Sequence, residues 1–534
     1  VVKKTRSWHF TKRTKYVGAT LYEGKRDMKN NHNKTLSLLG LWLASGALYA
    51  AAPLPEGAQF QIIGLIQNFR LDPTLCPGAP ALQGARMKVN GIDIVIPCNT
   101  IITMPGSYLT PEDIFRSPSL GTTVLPQSGL ALEDTPPPLG SFEASVDGNI
   151  VVGQHRAGLV SISQQALNNG VGYITEINRA TGMMRVGSSQ TLDAVNDARV
   201  RLNDPAGRFG IQTSAADPMF PTDERFTSDD GNPTVHAETG YPMCVPRPTP
   251  PAVDPLCPRS NRSTNTSLTT FVMGPALPGF PAAAPCPACN PRVTGPLVVG
   301  DYINYSGTLA KANDAAGTVY ISAHTLAAAV GIYTQPGQRP VYVSQEGSLI
   351  GTGGTPLTDP STNTNITQEI SPRDIKVEGF TTDPSQPVDI FALAIHPCTG
   401  AEAEVLVGTA RPGPVPFGRF RFDVKRAQSL VPIPLVREFR IKARQGTVTT
   451  DNGLEAGQYT APVGEYIFPE NHVFGDPLIP FNFQDLPFLV NGSGPLCTSV
   501  NQDAAGACIG PRVSQLRPWP GAASIVPVPP INCP

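Results

Sequence analysis

Hydrophobic positions along this chain recur with a period of two in short runs, and glycine, proline or an Asn-Gly pair closes almost every run. The clearest hairpin is 85–97, ARMKVNGIDIVIP, where Met87 and Val89 alternate before Asn90-Gly91 and Ile92, Ile94 and Ile96 alternate after it. Asn-Gly suits a two-residue turn because both positions need positive φ. The run 60–71, FQIIGLIQNFRL, predicts a strand with Gly64 inside it, the mark of a bulge or a close backbone approach. Further strands are expected at 150–152, 158–163, 172–178, 183–186 and 198–202, then at 297–305, 318–322, 340–344 and 375–380. The run 388–396, VDIFALAIH, is the most hydrophobic and is expected to be central. In 418–424 Phe420, Phe422 and Val424 share one face; 436–443, 459–468 and 486–490 add strands. Helix signals are scarce: one turn at 111–115, a short helix or a wide turn at 163–169, and a short helical piece at 324–330.

One stretch recurs. Residues 157–174, AGLVSISQQALNNGVGYI, match 316–333, AGTVYISAHTLAAAVGIY, at 8 of 18 positions without a gap. Internal similarity of this kind predicts two related units. The expected class is all-β, mainly strand with a few short helices. Small barrels of the oligosaccharide/oligonucleotide-binding (OB) type, or irregular sandwiches, repeat within the chain. The units expected are an N-terminal one at 51–127, repeat-bearing ones at 128–205 and 296–370, and a C-terminal one at 371–490. Between the two repeats, 206–295 is an extended Pro/Asp-rich segment, and 491–534 is a disulfide-tethered tail. Residues 203–247 keep Phe209, Phe220, Phe226, Tyr241 and Met243 among dense turns, so that stretch is expected to be ordered and packed across a barrel.

Residues 28–50 read as an export signal, with Lys29 and Lys34 ahead of an interrupted apolar run and small residues at Ala50 to Ala52. Residues 1–27 read as an upstream extension. Setting aside residues 1–50, with ten basic and two acidic side chains, leaves 30 basic and 40 acidic groups, a net of −10. Such a balance is not expected to grip nucleic acid. No later segment reads as a transmembrane span. The expected location is extracellular or the cell envelope, with an extracellular polymer or another surface protein as partner.

All ten cysteines follow the signal, and an even count in an exported chain predicts disulfides. Close neighbours suggest Cys76 with Cys98, Cys244 with Cys257 and Cys497 with Cys508, and Cys398 with Cys533 would tether the tail. Cys286-Pro287-Ala288-Cys289 reads as a structural bridge, because no helix follows to activate a thiol and no further zinc ligands lie near.

Motifs for nucleotide binding, zinc proteolysis or a serine elbow are absent. Two sets of residues carry candidate chemistry. Tyr173, Tyr320, Tyr333 and Tyr342, in or near the repeated units, could stack on sugars if they lie on an open face. Asp217, Asp223, Glu224, Asp229 and Asp230 lie in turns, and calcium is the ion that such oxygens suit. The reading is a non-catalytic structural or binding protein. Its alternatives are a polysaccharide hydrolase working through Asp and Glu, and a calcium-dependent adhesion module.

Overall fold

The fold, a computed structural model, is described for residues 58–469, less 76–83, 99, 101, 106–107, 117–123, 165–167, 249–253, 263–269, 277–283, 359–364, 396–401, 414–417, 426–437 and 463–464. All of these fall in one compact unit, Pro53–Pro534. The export signal, the tail, the strand expected at 486–490, and Cys76, Cys398, Cys497, Cys508 and Cys533 lie outside the described residues.

Strands β1 (Gln59–Asp72), β2 (Gly84–Val89), β3 (Ile92–Ile96), β4 (Ile102–Thr103), β5 (Tyr108–Leu109), the helical turn α1 (Pro111–Phe115), β6 (Phe142–Val151) and β7 (Gln154–Gln164) come first. The β2–β3 turn is the expected one, with Asn90 at φ 50° and Gly91 at φ 78°. Gly64 leaves room for the Asn90 side chain, which a Cβ there would meet at 2.1 Å and whose amide donates to the Ile63 carbonyl. The pairings run β3-β2-β1-β6-β7, and β3 then pairs in parallel with β7, so five strands form a closed ring. Ile66, Phe69, Met87, Val89, Ile96, Val146 and Ile162 fill it. Each such side chain contributes about 1.5–3 kcal/mol by leaving water. Residues 124–140, ahead of β6, form a packed loop. Leu130 and Ala131 are fully buried, and Leu132 and Glu133 donate to carbonyls of β1.

A second ring follows from β8 (Asn169–Asn178), β9 (Met183–Gly187) and β10 (Ala198–Leu202), completed after a long insertion by β16 (Tyr302–Lys311) and β17 (Val319–Ala328). The order is β10-β9-β8-β16-β17, closed by a parallel β10–β17 pairing. Both rings therefore have the same connectivity, with every pair antiparallel except the third strand with the fifth. The insertion holds the short strands β11 (Val235–Ala237), β12 (Met243–Cys244), β13 (Thr270–Met273), β14 (Ala284–Cys286) and β15 (Gly295–Pro296). β18 (Gly331–Tyr333) then leaves the ring to pair with β13.

These pairings cut across the units read from sequence. The boundary at 127/128 falls inside one ring, because β1 pairs with β6. The first copy of the repeat ends one ring and starts the other, through β7 and β8; the second copy likewise runs from the fifth strand, β17, into β18. The helical piece expected at 324–330 is corrected: residues 324–328 belong to strand β17. Of the piece expected at 163–169, residues 165–167 lie outside the described residues. The shared valines do not share a facing. Val160 is 2% exposed and its counterpart Val319 41%, whereas Val171 is 63% exposed and Val330 2%. A strand shifted by one residue turns every side chain over.

Beyond the rings, β19 (Val343–Thr358) and β20 (Asn365–Thr381) form a long hairpin. β21 (Val388–Ile395), β22 (Glu402–Ala410), β23 (Arg419–Lys425), β24 (Glu438–Ala443), the small pair β25 (Val448–Thr449) and β26 (Glu455–Ala456), β27 (Gln458–Pro462) and β28 (Glu465–Pro469) complete the chain. They make two four-stranded sheets, β23-β20-β19-β28 and β22-β21-β24-β27. β21 is interior to its sheet, and Ile390, Phe420, Phe422, Phe439 and Ile441 are buried. Among the described residues no helix is long and apolar enough to cross a membrane.

Candidate functional site

The segment 203–226 lies against both rings. Its first turn is closed by the buried Asp204, whose carboxylate accepts from the amides of Phe209 at 2.7 Å, Gly210 at 2.8 Å and Arg208 at 3.0 Å. Burial pushes the Asp204 carboxyl up, against those three donors. Phe209 is thereby set in the core of the second ring. Further along, Asp217 accepts from the amides of Met219 and Phe220 and lies 3.5 Å from Arg201 of β10. The Arg201 guanidinium stands over the Phe220 ring at 5.0 Å, and Phe220 meets Tyr320 edge-on at 5.6 Å. The loops at both flanks close on this segment: Arg201 donates to the Thr181 carbonyl between β8 and β9, and Asn313, between β16 and β17, donates to Met219 and Pro218 carbonyls. Phe226 then enters the core of the first ring, 5.0 Å from Phe142.

Where this segment meets the first ring, a cleft of about 590 Å³ opens. One wall is the end of α1 with residues 125–129 and 134–138, and the other is 221–225. Prolines 126, 136, 137, 138 and 221 supply much of the surface, so the walls are rigid. Arg225 braces the two sides. Its Nε and one Nη donate to Asp223 at 2.9 and 2.7 Å, and the other Nη donates to the carbonyls of Ile114 and Ser128 at 2.9 and 2.5 Å. Burial raises the Asp223 carboxyl, but the Arg225 charge and hydrogen bonds outweigh it and hold the group below the ordinary carboxylate range. Asp134 accepts from the Ser128 hydroxyl at 2.8 Å and the Ala131 amide at 3.1 Å, and Glu224 accepts from the Ala215 amide at 3.3 Å. Arg116 pairs with Glu112 one turn back. Two polar atoms in the lining are buried without a hydrogen-bond partner: Thr222 Oγ1 and Arg116 Nε.

The cleft gathers Asp223 and Glu224 but not the other acids read from the sequence. Asp217 serves Arg201 and its own turn, and the amides and Arg201 together lower its carboxyl despite burial. Asp229 accepts from the Gly231 amide and from the Asn232 amide and side chain, and burial raises its carboxyl. Asp230 is exposed. This geometry lends the calcium expectation no support: Asp217, Asp223, Glu224 and Asp229 accept from backbone N–H, amide or guanidinium groups. Among the described residues no group of three or more His, Cys, Asp or Glu is placed to hold a metal.

The tyrosine expectation is corrected as well. Tyr320, Tyr333 and Tyr342 are at most 2% exposed. The Tyr320 hydroxyl donates to the Pro221 carbonyl and that of Tyr342 to the Pro291 carbonyl. Burial pushes the Tyr320 and Tyr333 hydroxyls up to about 12. Aromatic rings alternate into a core as readily as out of it, so period alone did not separate the two. Tyr173 is half-buried on the outer face of β8, edge-on to Tyr302 at 5.0 Å.

Cys244 is bonded to Cys257, and Cys286 to Cys289. Cys98 is also disulfide-bonded. Cys286 ends a strand and opens a turn rather than a helix, which gives neither sulfur the dipole of a redox pair. Arg225, Asp134, Ser128 and Thr222 were not singled out from sequence. The one available signal was an arginine directly after Asp223-Glu224.

No family model matches the sequence, and no curated protein matches it.

Proposed function

We propose that this chain is a non-catalytic binding or structural protein, exported to the cell surface or envelope, where it holds an extracellular polymer or another surface protein. The observation that carries this reading is the shared connectivity of the two rings. A closed set of five strands in the order 1-2-3-5-4, with the third and fifth parallel, suits an OB-type barrel, a scaffold that binds oligomers through an outer face and its loops. A hydrolase reading has less support. A glycosidase needs two carboxylates poised over one bond, and in the cleft Asp223 is bound by Arg225, Asp134 by Ser128 and Ala131, and Glu224 by the Ala215 amide. The disulfides suit an oxidising compartment. The acidic balance after residue 50 favours a sugar polymer or a protein over nucleic acid.

The test is fractionation of the chain expressed from Met28 in its own host, followed by sedimentation with insoluble polysaccharides and with envelope fragments. Retention through a high-salt wash is the expected result. Protein found free in the medium or the cytosol, sedimenting with none of these materials, would contradict the reading.

A further inference from the structure

We propose that a second cavity, between the end of β8 and the stretches 246–259 and 296–299, binds a small organic acid: one carboxylate carried on an apolar body. This goes beyond the polymer-binding role above and does not depend on it.

The cavity holds about 370 Å³, near the lower end of the range for small-molecule sites. Apolar surface is left in contact with water along it. Ile177 and Val298 are half-buried, and Val299 is 52% exposed. Arg259 lines the same cavity and is exposed. Among the described residues its guanidinium has no ion-pair or hydrogen-bond partner. Arg179, also in the lining, already has an interaction of its own.

The acids close by are matched by other groups. Asp254 is the one acid among the described lining residues, and it is 2% exposed. Its carboxylate accepts from the amides of Arg247 and Leu256, both at 3.0 Å, and from the Arg247 guanidinium at 2.9 Å. Asp301, just beyond the wall 296–299, is paired with the buried Arg262 and accepts from the Val298 amide at 2.9 Å. Arg259 is therefore the uncompensated charge of the pocket.

The backbone that carries Arg259 is pinned on both sides. Two residues before it, Cys257 is bonded to Cys244. Two residues after it, the fully buried Asn261 donates to the carbonyls of Asn290 at 2.7 Å and Val293 at 3.0 Å, and accepts from the Asn290 amide at 2.7 Å. Only the arginine side chain has to be ordered when a ligand arrives. A guanidinium presents a planar fork of donors that fits a carboxylate with two hydrogen bonds. One unengaged guanidinium balances one negative charge, which favours a carboxylate over a doubly charged phosphate. The apolar body of such an acid covers the surface that Ile177, Val298 and Val299 leave in water.

The experiment is calorimetric titration of the full chain with octanoate and phenylbutyrate, beside acetate and the neutral amides of the two longer acids. The variants are Arg259→Gln, Val299→Asp and, as a control, Arg70→Gln, an exposed arginine on β1. The expected result is binding of at least one of the longer acids, with its amide and acetate at least tenfold weaker. Arg259→Gln and Val299→Asp should each weaken that acid about tenfold with the melting temperature of the parent, and Arg70→Gln should leave it unchanged. No binding of either longer acid, amides that bind as tightly as the acids, or an Arg259→Gln variant that binds like the parent would each overturn the assignment. Acetate as tight as the longer acids, or equal loss in Arg70→Gln, would reduce the effect to nonspecific anion binding and overturn it as well. Sedimentation with polymers is read separately and bears only on the surface role.

Discussion

Arg201 stands over the ring of Phe220 with 5.0 Å between guanidinium carbon and ring centroid, and this contact joins the insertion to the outer face of the second ring. Arg201 belongs to β10 and Phe220 to the segment that goes on to build the cleft. In an OB-type reading that face is where a ligand would sit. In this chain its own residues Asp217, Phe220 and Pro221 occupy it, with Asn313 and Thr181 closing from the flanks. Phe220→Ala should lower stability by about 1–2 kcal/mol through lost burial and the lost cation–π contact. Denaturant titration gives the magnitude. Hydrogen exchange should localise the loosening to 214–226, and protection there equal to the parent's would count against the contact.

Arg225 makes four hydrogen bonds that a lysine cannot reproduce. Arg225→Lys should cost about 2 kcal/mol, because the Ile114 and Ser128 carbonyls and part of Asp223 lose their donors. The same variant should weaken any ligand held in the cleft. Thermal unfolding read alongside sedimentation with polymer measures both effects.

His324 is 7% exposed on β17, and burial brings its pKa down to about 4 from an ordinary 6.5. Between those values the unfolded chain binds a proton that the folded chain does not. Stability contributed by the neutral ring is present above pH 6.5 and is lost as pH falls toward 4. The loss should be of the order of 3 kcal/mol for this group. His236, also lowered by burial, acts in the same direction. Denaturation midpoints from pH 7 to 4 should fall more steeply in the parent than in His324→Gln; equal slopes would remove His324 as the cause.

The Cys244–Cys257 bridge closes a separation of 13 residues and Cys286–Cys289 one of 3. Loop closure in the unfolded chain makes the first worth about 3 kcal/mol and the second about 2. Cys257→Ala should therefore destabilise more than Cys289→Ala. Urea titration of the two variants, with free thiols counted in the unfolded state, decides the order.

Calcium should leave the melting midpoint where it stands, and a chelator should do the same. The acids at 217–230 already accept from amides and arginines. A calcium-dependent rise in the midpoint would mean that these contacts rearrange around the ion.

Much of the strand framework was legible along the chain. The Asn90-Gly91 hairpin, Gly64 inside a strand, the interior strand at 388–395 and the alternation of Phe420 and Phe422 each depend on local chemistry: a turn needing positive φ, a close approach, a period of two. The order of 203–247 was legible too, because Phe209, Phe226 and Tyr241 needed a core, and all three are fully buried. The helical piece at 324–330 misled, since Leu326 and Ala328 satisfy either period over so short a run. The repeat misled about units, because similarity along a strand carries no statement of which strand it pairs with. Only the tertiary structure decided ring closure, which rests on the parallel pairings Ile94 with His155 and Val200 with Ile321, between residues far apart in sequence. It alone decided which tyrosines face a core and which acid meets which arginine. The cleft was likewise invisible in sequence, since its two walls, 125–138 and 221–225, are brought together by one guanidinium reaching backbone carbonyls that no sequence pattern distinguishes.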